Sequence, residues 1–148
     1  MINKKKTIIR WACLLFWFGF IFYMSQKSGD DSTKQSNLVI DLLSFMGINL
    51  SDDFTTMTTF IVRKAAHFTE YFILFIFAYR VISIYVSSKM CAIYAIGLVF
   101  LYAGSDEFHQ YFIPGRTAAF RDVLIDTSGG VFGAIIGCVI GKIRARTN

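Results

Sequence analysis

A stripe of ionisable residues lies inside an apolar stretch of the chain. Arg63, His67 and Glu70 occur at positions i, i+4 and i+7 of a run that stays mostly apolar to about Tyr85. At about 100° per residue, these three side chains fall within about 60° of one another on a helix. An imidazole beside a carboxylate suits acid–base chemistry, and arginine suits recognition of phosphate or carboxylate. Because ionisable groups facing lipid are costly, we expect the stripe to face protein or a polar cavity.

Two later apolar stretches carry further polar residues. Asp106 and Gln110 share one helical face, and Asp122 and Asp126 share another. We interpret these residues and the stripe as one candidate site. Its candidate catalytic residues are His67, Glu70, Asp106, Glu107 and Asp126. Its candidate ligand-binding residues are Arg63, Lys64, Gln110, Arg116, Arg121 and Asp122.

Other interpretations of this cluster stay open. The charges could form a structural ion-pair network that ties the helices together. A single metal ion could take ligands from His67 and Glu70 with Asp106 or Asp126, but no second histidine–carboxylate pair gives clear two-metal spacing. The sequence therefore predicts no metal site and no cofactor. His109 is set aside because its predicted face departs from that of Asp106.

Four apolar spans must position the candidate residues. The chain has 148 residues, of which 55% are hydrophobic, and a membrane-spanning helix needs about 20 mostly apolar residues. This pattern predicts one all-α membrane domain over residues 1–148. We expect spanning helices at about 7–24, 52–85, 90–112 and 122–141, and a short interfacial helix at Leu38–Met46 in the first outer loop. The net charge of +5 is explained by basic residues beside the spans, so no nucleic-acid partner is predicted.

The distribution of charge predicts the orientation in the membrane. With four spans, both termini share one side, which holds the larger group of basic residues and is expected to be cytoplasmic. Every acidic residue falls on the other side or in the half of the membrane nearest to it. Three helices then bring their intramembrane polar residues to the outer leaflet. Gly129, Gly133 and Gly137 are expected to form the seam at which the last helix packs closely against its neighbours.

The ordered set of polar motifs resembles the VanZ-like family of bacterial membrane proteins. The resemblance spans about Ser25 to Gly141 and includes the Ser25-Gln26 exit from the first helix. The matching pieces are Arg63-Lys64-Ala65-Ala66-His67-Phe68-Thr69-Glu70-Tyr71, Asp106-Glu107-Phe108-His109-Gln110, Phe112-Ile113-Pro114-Gly115-Arg116 and Arg121-Asp122-Val123-Leu124-Ile125-Asp126. The resemblance implies a multi-pass protein of the bacterial plasma membrane. It also implies a link to the cell envelope, since the namesake is associated with resistance to the glycopeptide antibiotic teicoplanin.

Three functions are consistent with these features. The first is binding of an anionic headgroup, from a membrane lipid or a lipid-linked envelope precursor, by arginines at headgroup depth. The second is an intramembrane enzyme acting on such a lipid, with His67 as general acid or base. The third is a small lipid transporter, which would need a homodimer because four helices are few for that task. Whether the protein is an enzyme stays open at this point.

Overall fold

The computed structural model describes residues 4–46 and 52–147, and most of them are helical. The helices are α1 (Lys4–Ser25), α2 (Gly29–Phe45), α3 (Asp52–Ile82), α4 (Ser88–Gln110) and α5 (Phe120–Thr147). Helices α1, α3, α4 and α5 each contain a segment long and apolar enough to cross a membrane. The prediction of an all-α membrane protein with four spanning helices is confirmed. The cytoplasmic location of both termini stays a prediction.

Helix α2 is longer than the predicted segment Leu38–Met46, because it begins at Gly29. The helix packs against α3 and buries Ile40, while Leu42 and Phe45 are exposed. An exposed apolar face on a short helix suits the predicted position at the membrane interface.

The C-terminal ends of α3 and α5 differ from the expected ranges, and the other ends of the spanning helices lie within three residues of expectation. Helix α3 ends at Ile82, and two tighter turns follow, in which the Ile84 and Tyr85 amides donate to carbonyl oxygens three residues earlier. Helix α5 continues through the basic tail to Thr147. Lysine and arginine are good helix formers, and a positive charge is favourable near a helix C-terminus. The tail therefore extends the helix.

Helix α3 is the centre of the fold, because it contacts each of the other four helices. Its buried face includes Tyr71, Leu74 and Ala78, which pack against α1, α4 and α5. Facing residues on α4 are small or medium in size, among them Ala95 and Ala103. Small residues let helix backbones approach closely in lipid, where packing replaces the hydrophobic effect as the main source of association.

Glycines of α5 provide the closest approach between helices. A Cβ atom at Gly129 would collide with the carbonyl oxygen of Phe68 on α3, and one at Gly133 would collide with the Phe75 ring. Gly130, which was not predicted to take part, faces Val99 of α4 in the same way. A Cβ atom at Gly137 would meet nothing within 4 Å. The predicted glycine seam is therefore correct for Gly129 and Gly133 and wrong for Gly137.

Candidate functional site

A polar cavity of about 230 Å³ lies between α3, the α4–α5 loop and the start of α5. We call it the basic cavity, because four cationic residues contribute to its walls. Those residues are Arg63, Lys64, Arg116 and Arg121. His67, Glu107, Gln110 and Asp122 also line it. The cavity therefore combines a basic wall with carboxylate and imidazole groups.

A tight turn places Arg116 at the cavity. The Arg116 amide donates to the Ile113 carbonyl oxygen at 3.1 Å, and Gly115 between them has a φ of 74°. Proline at the second turn position and a glycine with positive φ at the third are typical of a type II turn. The Arg116 side chain then donates from Nε to the carbonyl oxygen of Lys27 at 3.2 Å. The loop is thereby tied to the end of α1.

Arg116 is a half-buried cation. Burial lowers the pKa of its guanidinium, the charge of Arg63 lowers it further, and Asp106, Glu107 and Glu70 oppose the change. Arginine is effectively always protonated in proteins, so the group keeps its charge at neutral pH. An anion entering the cavity would relieve the repulsion between Arg116 and Arg63.

Glu107 acts at the start of α5. Its Oε2 atom accepts a hydrogen bond from the Ala119 amide at 2.9 Å, one residue before the helix begins. The first amides of a helix lack partners within it, and a negative charge is favourable there. Glu107 is buried, so this contact fixes α5 against the end of α4. Its position favours a structural role over the predicted catalytic one.

The basic residues of α3 and α5 are held near Phe60. Lys64 Nζ lies 2.6 Å from Asp122 Oδ2, in a half-buried ion pair. Arg121 Nε lies 4.0 Å from the other oxygen of Asp122, but the Arg121 side chain is 71% exposed. Lys64 and Arg121 also lie 5.4 and 5.8 Å from the Phe60 ring centroid, within range of cation–π attraction.

Beneath the basic cavity, His67 lies between two carboxylates. Its Nδ1 atom is 3.9 Å from Glu70 Oε2 and 3.9 Å from Asp126 Oδ1. Both distances are too long for hydrogen bonds, and Nδ1 is buried without a partner. Asp126 is 2% exposed, and its Oδ2 atom also has no hydrogen-bond partner. This arrangement leaves polar atoms of two helices facing one another in a small space.

Asp106 of α4 lies beside His67 and Asp126 beneath the basic cavity. Its Oδ2 atom accepts a hydrogen bond from Gln110 Nε2 at 3.0 Å, and both residues are buried. The hydroxyl groups of Ser25 and Tyr71 lie near the same carboxylate, and both are buried without a hydrogen-bond partner. The site thus receives residues from α1 as well as from α3, α4 and α5.

The structure places the predicted site residues around one location. The residues that line the basic cavity are Arg63, Lys64, His67, Glu107, Gln110, Arg116, Arg121 and Asp122. Glu70 and Asp126 flank His67, and Asp106 lies close to His67 and Asp126. Arg121 is the most peripheral, since most of its side chain is exposed. His109 lies apart from the cavity, with its ring 4.8 Å from that of Phe22.

Sequence reasoning did not include Tyr71 or Ser25 in the site. Tyr71 follows His67 by four residues, so the spacing already placed both on one face of α3. It is fully buried and its hydroxyl faces Asp106. Ser25 ends the first span, and only its position in the polar exit from α1 could have indicated it.

Comparison with known proteins identifies the family. A family model described as VanZ/LLP1 matches residues 10–141, which is most of the chain. The resemblance found from the polar motifs is thereby confirmed. Searches of curated proteins and of solved structures each returned no significant match. This multi-pass membrane protein therefore belongs to the VanZ/LLP1 family.

Proposed function

We propose that the basic cavity binds the anionic headgroup of a membrane lipid or lipid-linked envelope precursor in the bacterial plasma membrane. The observation that carries this proposal is an incompletely satisfied arginine. Arg63 donates from Nη2 to Thr33 Oγ1 at 2.9 Å, but its Nε is buried without a hydrogen-bond partner. A phosphate or carboxylate is the anion whose geometry matches the donors of a guanidinium group.

Arg116 supports the same function. The hydrogen bond from its Nε goes to the carbonyl oxygen of Lys27, which carries no net charge. The guanidinium groups of Arg63 and Arg116 both line the cavity, and a bound anion would neutralise part of their positive charge. Lys64 contributes less to binding, because Asp122 already neutralises it at 2.6 Å.

The location of the cavity is the basis for a link to teicoplanin. If the termini are cytoplasmic as predicted, the cavity lies in the outer leaflet, where the acyl tail of teicoplanin would insert. Envelope lipids whose headgroups are bound in this site would then be less exposed to the antibiotic. Headgroup binding would in this way contribute to teicoplanin resistance in the cell.

A second function, an intramembrane enzyme, is favoured by one observation. His67 lies between Glu70 and Asp126, each 3.9 Å from Nδ1. A histidine flanked by carboxylates could transfer a proton to or from a lipid phosphate ester in the cavity. Glutamine at this position retains similar size and hydrogen bonding but cannot exchange the proton.

The experiment measures headgroup binding by the purified full-length protein. Phosphatidate, a simple phosphate headgroup, should raise the melting temperature in detergent more than phosphatidylcholine does, because a ligand of the folded state stabilises it. Arg116→Lys should weaken phosphatidate binding by about tenfold, since lysine cannot form a bidentate contact. Arg80→Lys is the control, because Arg80 is exposed and distant from the cavity. Equal responses of wild type to the two lipids would contradict the proposal.

An experiment in cells distinguishes headgroup binding from catalysis. Teicoplanin susceptibility is compared at equal membrane amounts of wild type, Arg116→Lys and His67→Gln. Binding predicts the larger loss of protection for Arg116→Lys. Catalysis predicts complete loss for His67→Gln, with Arg116→Lys only partly impaired. Unchanged protection in both variants would remove the cavity from this role.

A further inference from the structure

Three potential metal ligands from three different helices converge beneath the basic cavity. His67 comes from α3, Asp106 from α4 and Asp126 from α5. One ligand-type atom from each lies within 4.8 Å of those from the other two. The residues are separated by up to 59 positions in the sequence, so tertiary packing alone brings them together.

Two of these three residues have buried polar atoms without hydrogen-bond partners. Asp126 is 2% exposed and its Oδ2 is unpartnered, and His67 Nδ1 is unpartnered as well. In the described ranges 4–46 and 52–147, no lysine or arginine forms an ion pair with Asp106 or Asp126. Lys64, the nearby α3 lysine, is already paired with Asp122. A buried carboxylate without a hydrogen bond or counter-charge is costly, so this arrangement needs a compensating cation or proton.

We propose that His67, Asp106 and Asp126 bind one divalent metal ion. A neutral imidazole and two carboxylates form a mixed nitrogen–oxygen ligand set, which suits Zn²⁺ or Mn²⁺ better than a soft ion such as Cu⁺. Ligand atoms about 2.1 Å from an ion lie about 3 to 4 Å apart, so a separation of 4.8 Å has to contract by about 1 to 2 Å. Side-chain rotation can supply that shift, because none of the three is held by an ion pair to a lysine or arginine.

Gln110 gives the site a supporting contact. Its Nε2 donates to Asp106 Oδ2 at 3.0 Å, which orients the carboxylate. Hydrogen bonds of this kind hold metal ligands in place in known sites. His67 also lines the basic cavity, so water in the cavity can complete the coordination of a bound ion. The proposal does not depend on headgroup binding, because the ligands are supplied by the chain itself.

The test uses purified full-length protein without a polyhistidine tag, stripped with a chelator and titrated with Mn²⁺. Loss of the free-ion signal in electron paramagnetic resonance measures binding, and Zn²⁺ is added as competitor. Wild type should bind one ion per chain and melt at a higher temperature with the ion present. Asp126→Asn and His67→Gln should each weaken binding by at least about tenfold. The matched controls Asp41→Asn, an exposed carboxylate, and His109→Gln, a histidine outside the cluster, should bind as wild type does.

Each result decides the question. No saturable Mn²⁺ or Zn²⁺ binding by wild type would overturn the proposal, and this holds even if a variant fails to fold. Equal binding by folded Asp126→Asn and wild type would overturn it too. Displacement of Mn²⁺ by Zn²⁺ at one site per chain would support the site and identify the preferred ion. Phosphatidate binding is measured separately, so a failure of either proposal leaves the other testable.

Discussion

Two aspartates one turn apart on α5 have different surroundings. Asp122 forms a half-buried ion pair with Lys64 at 2.6 Å. Asp126 is buried more deeply. Among the described residues, the basic group within ion-pair distance of it is the His67 imidazole. Each carboxylate keeps one buried oxygen without a hydrogen-bond partner, but only Asp122 has a lysine beside it. The first aspartate thus connects α5 to α3, whereas the second has no basic residue of that kind as its partner in the described part of the chain.

The Lys64–Asp122 pair should contribute measurably to stability. Lys64→Met should lower the free energy of unfolding, because it leaves the Asp122 carboxylate without its partner. Adding Asp122→Asn should recover part of the loss, with a coupling energy of about 1–3 kcal/mol in a double-mutant cycle. Reversible unfolding in detergent measures all four proteins. The control cycle combines Arg121→Met with Asp122→Asn. The Arg121–Asp122 distance of 4.0 Å and the high exposure of Arg121 predict a coupling energy below about 1 kcal/mol. Similar coupling in both cycles would show that the ion-pair geometry has no energetic importance.

For single residues, the sequence predicted where the site residues lie better than it predicted which groups they contact. Hydropathy and helical spacing were enough to place His67, Asp106 and Asp126 at one depth. They did not indicate that Glu107 accepts from the Ala119 amide, because that contact depends on how the α4–α5 loop folds back. They also could not rank Asp122 against Asp126, because both lie on one face and only the neighbouring helices distinguish them.

The position of α5 determines the geometry of the site at the scale of elements. Gly129 lies one turn below Asp126 and against the backbone of Phe68, the residue that follows His67. A change in the α3–α5 distance at this contact therefore alters the distance between His67 and Asp126. The site depends on a contact between two backbones as well as on its side chains.

Substitution at Gly129 should disturb both packing and site, whereas substitution at Gly137 should not. Gly129→Ala places a methyl group against the Phe68 carbonyl oxygen, and overpacking of this kind costs about 1–3 kcal/mol. Gly137→Ala is the matched control, since its added methyl group meets nothing within 4 Å and the expected change is within about 0.5 kcal/mol. Melting temperature and phosphatidate binding are measured for both. A stable, fully binding Gly129→Ala protein would refute the close contact.

The sequence predicted the helices and part of their contact surface. Spacing of four residues identified Gly129 and Gly133 as seam residues but extended the seam to Gly137. A four-residue repeat slowly rotates around a helix, and neighbouring helices cross and separate, so a seam has a limited length. Gly130 was missed because its partner is on α4, and a single repeat describes only one helix pair.

Across the whole molecule, the described polar site occupies one half of the helix bundle. The buried core towards the other end is made of residues such as Leu14, Ala78, Val81 and Ala95. The chain therefore provides no continuous row of buried ionisable residues from one face to the other within its described part. A transporter would have to build its second half from another copy, whereas binding or chemistry at one leaflet needs only this chain.

Labelling should place the site and the termini on opposite sides of the membrane. In a cysteine-free background, Ser44→Cys on α2 should react with an impermeant maleimide in intact cells. Ser87→Cys, between α3 and α4, should react only after permeabilisation, because the charge distribution predicts that turn to be cytoplasmic. Both serines are exposed, which makes them matched positions. The reverse pattern would invert the topology and move the cavity to the inner leaflet.

The volume of the basic cavity also has a consequence for selectivity. Pockets that enclose a drug-sized ligand measure about 300–1,000 Å³, and this one is about 230 Å³. If it binds a lipid headgroup as proposed, it has room for the charged end alone, and sugars, peptides and acyl chains would stay outside its walls. Such a site distinguishes ligands by the charge and size of their terminal group. Envelope lipids that share this terminal group would compete for it, whatever else they carry.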